Sequence, residues 1–464
     1  MRMMFGVFVF LICPVAGFGQ QAKLLPAADA RYKADILLVV AHPDDEGAAT
    51  PYLARALDEG KRVAVVFGTR GSSGANEAGA EQAAGLGAVR EIEARNALAT
   101  LGISDVWFLD GKDTASQNVL QSLANWNHGA ALQQLVRLVR LTRPEVVLTF
   151  LPGTFIGEDH GDHQAAGVLA TEAFDLAGDA ASFPEQLAGP TKRLEPFLDN
   201  LRAWQPKKIY YFPDADREDI FREMGPEYSV KEVSKSKKQA YWKVALEGFR
   251  AHQTQAKSFF DSFAAMSDAQ VEKLVTADAG WTEALHFVRG KSLVGGAASG
   301  DIFEGIAEGA IPFVAAGGAT GTAPPSEPRE ISVELGGPWS FYEAFRRAHG
   351  LEKLPHPEPP EIALQMASTL VIPLLVRNPT AETQTITIAA DLPAGWTAQT
   401  GAGKVSIGAR QTAATRVEIN LPAGENEKEK KKAAQEITVR AESGGRAVGT
   451  VKLRVELRAR SLPQ

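Results

Sequence analysis

Residues 36–46 read Ile-Leu-Leu-Val-Val-Ala-His-Pro-Asp-Asp-Glu, and this stretch decides both the fold and the position of the candidate site. Five consecutive apolar residues favour a buried β-strand, and a histidine and three acidic residues follow directly at its end. In an open α/β sheet, ligands bind beyond the carboxyl ends of the strands. Imidazole and carboxylate groups together are typical ligands of zinc and similar divalent ions. The stretch therefore predicts a metal site in a cleft.

A second interpretation of the acidic pair is that Asp44 and Asp45 cap a helix that follows them. Aspartate is favoured at helix starts, where its charge complements the helix dipole. Two observations weaken this interpretation: His42 lies two residues upstream, and a second cluster of histidine and aspartate occurs later in the chain. We therefore prefer the metal site.

The second cluster also follows an apolar run. Residues 146–150 predict a strand, and residues 158–164 then read Glu-Asp-His-Gly-Asp-His-Gln. His160 and His163 are three positions apart, so they would share one face if a helix begins here. One or both could then reach a metal held by the first cluster.

Together the two motifs resemble the PIG-L/LmbE-like N-acetylglucosaminyl deacetylases, whose pattern is Ala-His-Pro-Asp-Asp-Glu followed later by His-x-Asp-His. Both motifs occur here in that order, and the resemblance extends from residue 36 to about residue 303. The chain departs from the pattern at Gly161, where many members have proline, and at Thr254, where serine is commoner. Further matching positions are Gly71, Arg90, Glu93, 108–111, 208–212, Lys243 and 252–255.

The resemblance implies a catalytic metal centre with His42, Asp45 and His163 as ligands. Two imidazoles and one carboxylate leave positions for water and substrate, as catalytic zinc sites do. Asp44 would be the general base that takes a proton from the metal-bound water, whose pKa the ion lowers. Zinc (Zn2+) is the expected ion, and the same ligands also admit Fe2+, Mn2+ or Co2+.

Two further residues of the second cluster have expected roles in amide hydrolysis. His160 is the candidate donor to the oxyanion, and in its protonated form it could also give a proton to the departing amine. Asp44 could perform that last step instead, and the sequence does not decide between them. Asp162 could accept the second N–H of a metal-bound histidine, or could simply be a solvated loop residue.

Arg90 and Asp110 occupy positions that lie near the bound sugar in the resembling family, so both are candidate substrate-binding residues. Each has an ordinary alternative. Arg90 could form an ion pair within its helix, because acidic residues lie around it. Asp110 could be a turn residue, because Gly111 follows it.

The fold class follows from alternation of strand and helix patterns. Apolar runs at 36–40, 63–67, 106–109 and 146–150 alternate with helical patterns such as 88–101 and 130–141. This order predicts a Rossmann-like α/β fold, with a doubly wound and mostly parallel sheet. Both motifs then fall at carboxyl ends of strands.

Beyond residue 361 the pattern changes to short β-segments separated by turns, which predicts an all-β sandwich. The turn Leu392–Trp396 resembles that of NEW-type Ig-like modules of bacterial secreted glycosidases, and Trp396 is expected in the core rather than at a sugar site. The expected domains are a signal peptide at 1–19, the PIG-L/LmbE-like deacetylase domain at 20–300, an extension and Pro-rich linker at 301–360, and the β-sandwich module at 361–460.

The expected location is secreted or periplasmic. Arg2 precedes a short apolar run and small residues up to Gly19, a pattern typical of a secretory signal and too short for a spanning helix. No stable transmembrane span is expected after cleavage of the signal. The only cysteine, Cys13, lies inside this segment, so the remaining chain has no cysteine for a disulfide or a metal.

The charge distribution excludes one class of partner. The 464 residues carry a formal net charge of −7, and basic residues form only two short clusters, so a nucleic-acid partner is not expected. The expected partner is an N-acetylated amino sugar or glycoconjugate. Two alternatives stay open: a catalytically inert carbohydrate-binding or scaffolding protein, and an amidase acting on a non-sugar amide.

Overall fold

A computed structural model gives the structure of this chain. The segment predicted as a signal peptide, with Cys13, lies outside the described residues and stays a prediction. The structure describes residues 30–115, 118–153, 160–187, 201–212, 221, 223–278, 284–307, 330–365, 369–398, 403–421 and 434–458.

The N-terminal region is built on a six-stranded sheet. Its strands run in the order β3-β2-β1-β4-β5-β8, with the first five parallel and β8 antiparallel to β5, while β6 and β7 pair separately. The bounds are β1 Ile36–Val40, β2 Val63–Phe67, β3 Asp105–Phe108, β4 Val146–Phe150, β5 Lys208–Phe212, β6 Glu227–Ser229, β7 Ala284–His286 and β8 Val288–Ser292. The predicted mostly parallel α/β sheet is confirmed.

Helices separate the parallel strands in sequence. Every residue of β1, β2, β4 and β5 is buried, as expected for strands covered on both faces. The helices are α1 Thr50–Asp58, α2 Ala84–Leu101, α3 Val119–Asn125, α4 His128–Thr142, α5 Gly161–Leu176, α6 Tyr241–Phe249, α7 Gln253–Phe263 and α8 Asp268–Asp278. No described helix combines the length and apolar character needed to cross a bilayer.

The C-terminal region contains two mostly antiparallel sheets that share one apolar core, in which Trp396 is buried as expected. Their strand orders are β10-β17-β16-β12-β14 and β13-β15-β11-β9. This arrangement agrees with a β-sandwich, and its Ig-like identity stays a prediction. The bounds are β9 Ser332–Leu335, α9 Pro338–Ala348, β10 Glu361–Gln365, β11 Thr369–Asn378, β12 Gln384–Asp391, β13 Thr397–Ala398, β14 Lys404–Ile407, β15 Gln411–Asn420, β16 Gln435–Ser443 and β17 Arg446–Arg458.

The segment between the two regions is structured where it is described. Strand β9 pairs with β11 of the C-terminal region, and helix α9 directly follows β9. Tyr342 and Phe345 of α9 lie in the same core cluster as the parallel sheet. The Tyr342 hydroxyl donates to Gln164 Oε1 of α5 at 3.0 Å. Helix α9 therefore connects the C-terminal region to the helix that carries His163.

Candidate metal centre

The two sequence motifs meet because β1 and β4 are neighbours in the sheet. The strands pair in parallel, with Ile36 opposite Val146 and Val39 opposite Thr149. The order of the sheet reverses at this pair of strands, and the crevice beyond such a point is where open α/β sheets bind ligands. His42 follows β1, and His163 lies in the first turn of α5 after β4.

His42, Asp45 and His163 form the candidate ligand set. One nitrogen of each histidine and one oxygen of Asp45 lie within 4.8 Å of one another. His163 Nε2 is 3.1 Å from Asp45 Oδ1, and His42 Nδ1 is 3.3 Å from Asp45 Oδ2. The structure thus brings together the three residues that the resemblance implied as ligands.

The Asp45 carboxylate is held in place by the backbone of its own loop. Its Oδ2 accepts hydrogen bonds from the amides of Ala41 at 3.0 Å and His42 at 2.7 Å. Burial opposes ionisation of Asp45, but the two neighbouring histidines His163 and His42 outweigh it and lower its pKa well below the ordinary value. Asp45 is therefore an ionised carboxylate with a fixed orientation.

The second nitrogen of His42 faces two carboxylates. Its Nε2 lies 3.2 Å from Asp113 Oδ1 and 3.3 Å from Asp162 Oδ2. An N–H donated in this direction leaves Nδ1 to face the ligand position, which is the usual arrangement of a metal-binding histidine. Asp113 is in turn fixed by the amide of Ser73, which donates to its Oδ2 at 2.6 Å. The structure therefore places Asp162 where it was expected and adds Asp113.

Asp44 lies beside the ligand set with an unusual backbone. Its φ is 107° and its ψ is −29°, a left-handed conformation that is uncommon for residues other than glycine. Among the described residues, none donates a hydrogen bond to its carboxylate. Burial and the adjacent charge of Asp45 raise the pKa of Asp44 to about 7. A carboxylate of this kind is suited to accept and return a proton near neutral pH.

His160 precedes α5 and caps it. Its Nδ1 accepts a hydrogen bond from the Asp162 amide at 3.2 Å, so the ring hydrogen of the neutral form lies on Nε2. Burial and the neighbouring His42 and His163 lower the pKa of His160 to about 4. The imidazole is therefore neutral near pH 7. It can donate a hydrogen bond through its N–H, but it does not carry the extra proton that a general acid gives away.

The donor set fits a divalent cation. Two imidazole nitrogens and one carboxylate oxygen converge, and two further carboxylates, of Asp113 and Asp162, stand behind His42. The ligands come from the segment after β1 and from the first turn of α5, and a set of three protein ligands leaves coordination positions for water and substrate. The chemistry of this set suits zinc, and it does not exclude iron(II), manganese or cobalt.

Arg90 lies next to the site, but its guanidinium is directed into the protein. Its nitrogens donate to Gly71 O and Ala75 O, each at 2.7 Å, and to Thr254 Oγ1 at 3.3 Å. These hydrogen bonds go to the chain after β2 and to Thr254 rather than to an acidic residue of the same helix, and the predicted sugar contact of Arg90 stays a prediction. Arg90 instead fixes the loop that follows β2.

The structure does not bring Asp110 to the ligand set. Its side chain is exposed, and Oδ2 accepts from Gln134 Nε2 of α4 at 2.9 Å. The carboxylate that reaches His42 is Asp113, three residues further along an irregular segment. Asp110 was predicted near the sugar rather than at His42, and that role stays a prediction. No periodicity fixes side-chain direction after a strand ends, so the sequence did not single out Asp113.

Comparisons with known proteins show which family the chain is similar to. The model of the GlcNAc-PI de-N-acetylase family, PIG-L, matches residues 37–174. The 1D-myo-inositol 2-acetamido-2-deoxy-alpha-D-glucopyranoside deacetylase of Thermobifida fusca is 30% identical over 244 residues, covering 47% of this chain and 82% of that protein. The protein of the same name from Streptomyces griseus is 30% identical over 323 residues, covering 63% of this chain and 96% of that protein.

Among solved structures, the N,N'-diacetylchitobiose deacetylase of Pyrococcus horikoshii is 16% identical, with a TM-score of 0.38 over 55% of this chain and 84% of that one. A likeness at this level carries no argument about activity. The curated relatives show the family, because they are 30% identical to this chain and the aligned part covers 82% and 96% of their length. This chain belongs to the PIG-L family of GlcNAc-PI de-N-acetylases.

Proposed function

We propose that this protein is a metal-dependent hydrolase that removes the N-acetyl group from a sugar of the N-acetylglucosamine type. The observation that carries the proposal is the convergence of His42, Asp45 and His163, with the proton-accepting carboxylate of Asp44 beside them. The names of the curated relatives support the reaction and the substrate class, since both act on an acetamido-glucopyranoside.

His42, Asp45 and His163 would hold the ion, and zinc is the proposed metal. When bound, a divalent ion polarises the acetamide carbonyl and makes water a stronger acid. Asp45 contributes the negative charge of the ligand set, and the carboxylates behind His42 fix the direction of its ring. The protein therefore supplies orientation as well as ligands.

Asp44 is the proposed general base. Its carboxylate takes a proton from the water that attacks the acetyl carbon, and its raised pKa of about 7 favours proton transfer near neutral pH. The same carboxylate then returns this proton to the nitrogen of the departing amino sugar. The low pKa of His160 supports this assignment, because a neutral imidazole is a poor source of that proton.

His160 is the proposed donor to the oxygen that becomes negative during the attack. Its Nδ1 is occupied by the Asp162 amide, so its Nε2–H is the group that can donate. A positioned donor of this kind contributes about 10²–10³-fold to turnover in other hydrolases. The products are acetate and a free amino sugar.

The test is acetate release by the purified protein loaded with zinc. The panel contains N-acetylglucosamine, chitin oligomers, peptidoglycan fragments and 1D-myo-inositol 2-acetamido-2-deoxy-alpha-D-glucopyranoside, and the control is the Asp44→Asn variant. We expect release of acetate and of free amine in equal amounts from at least one substrate, and its loss in the control.

Two results would oppose the proposal. Equal release by the Asp44→Asn variant would exclude Asp44 as the base. No release from any sugar in the panel, with metal present, would favour an amidase of a non-sugar amide, or a binding protein without turnover. Parallel loading with iron(II), manganese and cobalt shows whether zinc is the ion that supports the reaction.

A further inference from the structure

The left-handed backbone of Asp44 needs support, because a side chain makes its φ of 107° unfavourable. The Asp44 amide donates to Glu46 Oε2 at 2.9 Å, and its carbonyl accepts from the Gly47 amide at 2.8 Å. The adjacent Asp45 carboxylate meets the amides of Ala41 and His42 instead. This turn therefore separates two neighbouring carboxylates into two different environments.

Glu46 is a buried carboxylate with a partner on each oxygen. Its Oε2 accepts from the Asp44 amide, and its Oε1 lies 2.5 Å from His252 Nε2. The residue is only 2% exposed and His252 is fully buried. A buried carboxylate is stable only when it is paired and hydrogen-bonded, so His252 supplies what Glu46 needs in order to hold the Asp44 amide.

His252 belongs to a four-residue stretch, His252–Gln255, that contacts the Asp44 loop on both sides. Gln255 Nε2 donates to the carbonyl of Pro43 at 2.8 Å, just before Asp44, and His252 binds Glu46 just after it. The stretch itself is fixed by Glu93, which accepts from the Thr254 amide at 2.9 Å and its hydroxyl at 2.6 Å. The stretch therefore contacts the residue before Asp44 and a residue after it, which is more than a connection between two helices would require.

We propose that the buried Glu46–His252 pair holds Asp44 in its left-handed conformation and thereby directs its carboxylate towards the reacting water, so that both are positioning residues. The proposal rests on the proposed function for its catalytic consequence. Its structural part, the dependence of the Asp44 backbone on Glu46, does not require any activity.

A matched pair of variants separates positioning from general stability. Glu46→Gln keeps an oxygen that can accept from the Asp44 amide, whereas Glu46→Met has a similar volume and no such acceptor. The control is Glu145→Gln, which alters the partly buried ion pair with Lys207 at the opposite end of the sheet, before β4 and β5 begin. All three variants alter a carboxylate that forms an ion pair, and two of them alter the one beside Asp44.

The first readout is steady-state kinetics of the zinc-loaded variants on the best substrate of the acetate-release panel. We expect Glu46→Met to lower kcat by about 10²-fold with KM within about twofold and metal content unchanged, since loss of an orienting contact typically costs 10–100-fold. Glu46→Gln should keep most of kcat. Glu145→Gln should lower the melting temperature without changing kcat. An unchanged kcat in Glu46→Met overturns the proposal.

The second readout is the crystal structure of Glu46→Met beside that of the wild type. We expect the φ of Asp44 to leave the left-handed region, and a retained φ near 107° overturns the proposal whatever the kinetics show. If the wild-type protein releases no acetate, only the proposed function fails. The two crystal structures still decide whether the backbone conformation of Asp44 depends on Glu46. If Glu46→Met does not fold, His252→Gln replaces it, with an expected loss of about tenfold in kcat.

Discussion

The imidazole of His163 lies parallel to the ring of Phe150, with ring centroids 4.2 Å apart and planes inclined by 2°. Phe150 is the last residue of β4 and is buried, while His163 lies in the first turn of α5. The stack fixes the rotation of the imidazole, so that its Nε2 faces Asp45 Oδ1 at 3.1 Å. The end of a core strand therefore orients a candidate metal ligand directly.

Replacing this ring should weaken metal binding. Phe150→Leu keeps an apolar side chain but removes the flat surface beneath His163, and we expect zinc affinity to fall about tenfold, as for other contacts that orient a ligand. Isothermal titration with zinc measures this change. Phe174→Leu is the matched control, because Phe174 is as buried as Phe150 and lies on α5, the helix that carries His163. Equal affinities of Phe150→Leu and the wild type would show that the stack does not orient His163.

Metal binding should stabilise the fold through the same three residues. A ligand that binds only the folded state stabilises it by about 2.7 kcal/mol at a concentration 100 times its Kd. We expect the melting temperature to rise with added zinc in the wild type and in Asp44→Asn, but not in His163→Ala. Chelation should reverse the rise. The ligand assignment fails if His163→Ala responds to zinc as the wild type does.

The sequence located the site because each motif follows a strand, and β1 and β4 proved to be neighbours. It did not single out Asp113 at all, and it gave 252–255 only as matching positions, without a role for His252. These residues belong to the segments after β3 and between α6 and α7, and their direction depends on packing rather than on any periodic pattern. Strand β9 was missed, since its four residues are too few to show a pattern.

Arg140 illustrates a structural use of a charged residue that the sequence did not suggest. It is fully buried at the end of α4, and its five N–H groups donate to five oxygens of one loop. The acceptors are the carbonyls of Ala177, Asp179, Ser182 and Phe183 and the side chain of Gln186. Arginine alone has this many donors in a fixed planar group.

Substituting Arg140 should therefore cost much stability. We expect Arg140→Met to lower the free energy of unfolding by about 3 kcal/mol or more, because several buried carbonyls lose their donor at once. Arg140→Lys should also be strongly destabilised, since an ammonium group cannot reproduce the planar fork. Urea denaturation measures both. Arg95→Met, at an exposed arginine, serves as the control and should change stability by less than about 1 kcal/mol.

Asp58 predicts a pH dependence of stability. Partial burial opposes its ionisation, but hydrogen bonds from Ser236, Ser234 and the Lys235 amide outweigh it and lower the pKa of Asp58 to about 2. The unfolded value is about 3.9, so the folded state binds this proton less tightly. Its contribution to stability is therefore present above about pH 4 and is lost as the pH falls towards about 2.

The measurement compares melting temperatures of the wild type and Asp58→Asn. The difference should be largest at about pH 6 and should narrow steadily as the pH is lowered below about 4. Ser234→Ala, which removes one donor to the carboxylate, should show a smaller effect in the same direction. A difference that stays constant across this range would mean that the ionised form of Asp58 is not preferentially stabilised in the fold.

The hydroxyl of Tyr342 makes one of the contacts between α9 and α5, with Gln164, one residue after His163. Because the bond to Gln164 is buried, we expect Tyr342→Phe to lower the free energy of unfolding by about 1 kcal/mol. Urea denaturation should then show one shifted transition for the whole chain, since Tyr342 and Phe345 belong to the core of the parallel sheet. Tyr32→Phe is the control, because the hydroxyl of Tyr32 makes no hydrogen bond within the described part of the chain. Equal stability of the two variants would mean that packing of the α9 rings, rather than this hydrogen bond, attaches the C-terminal region.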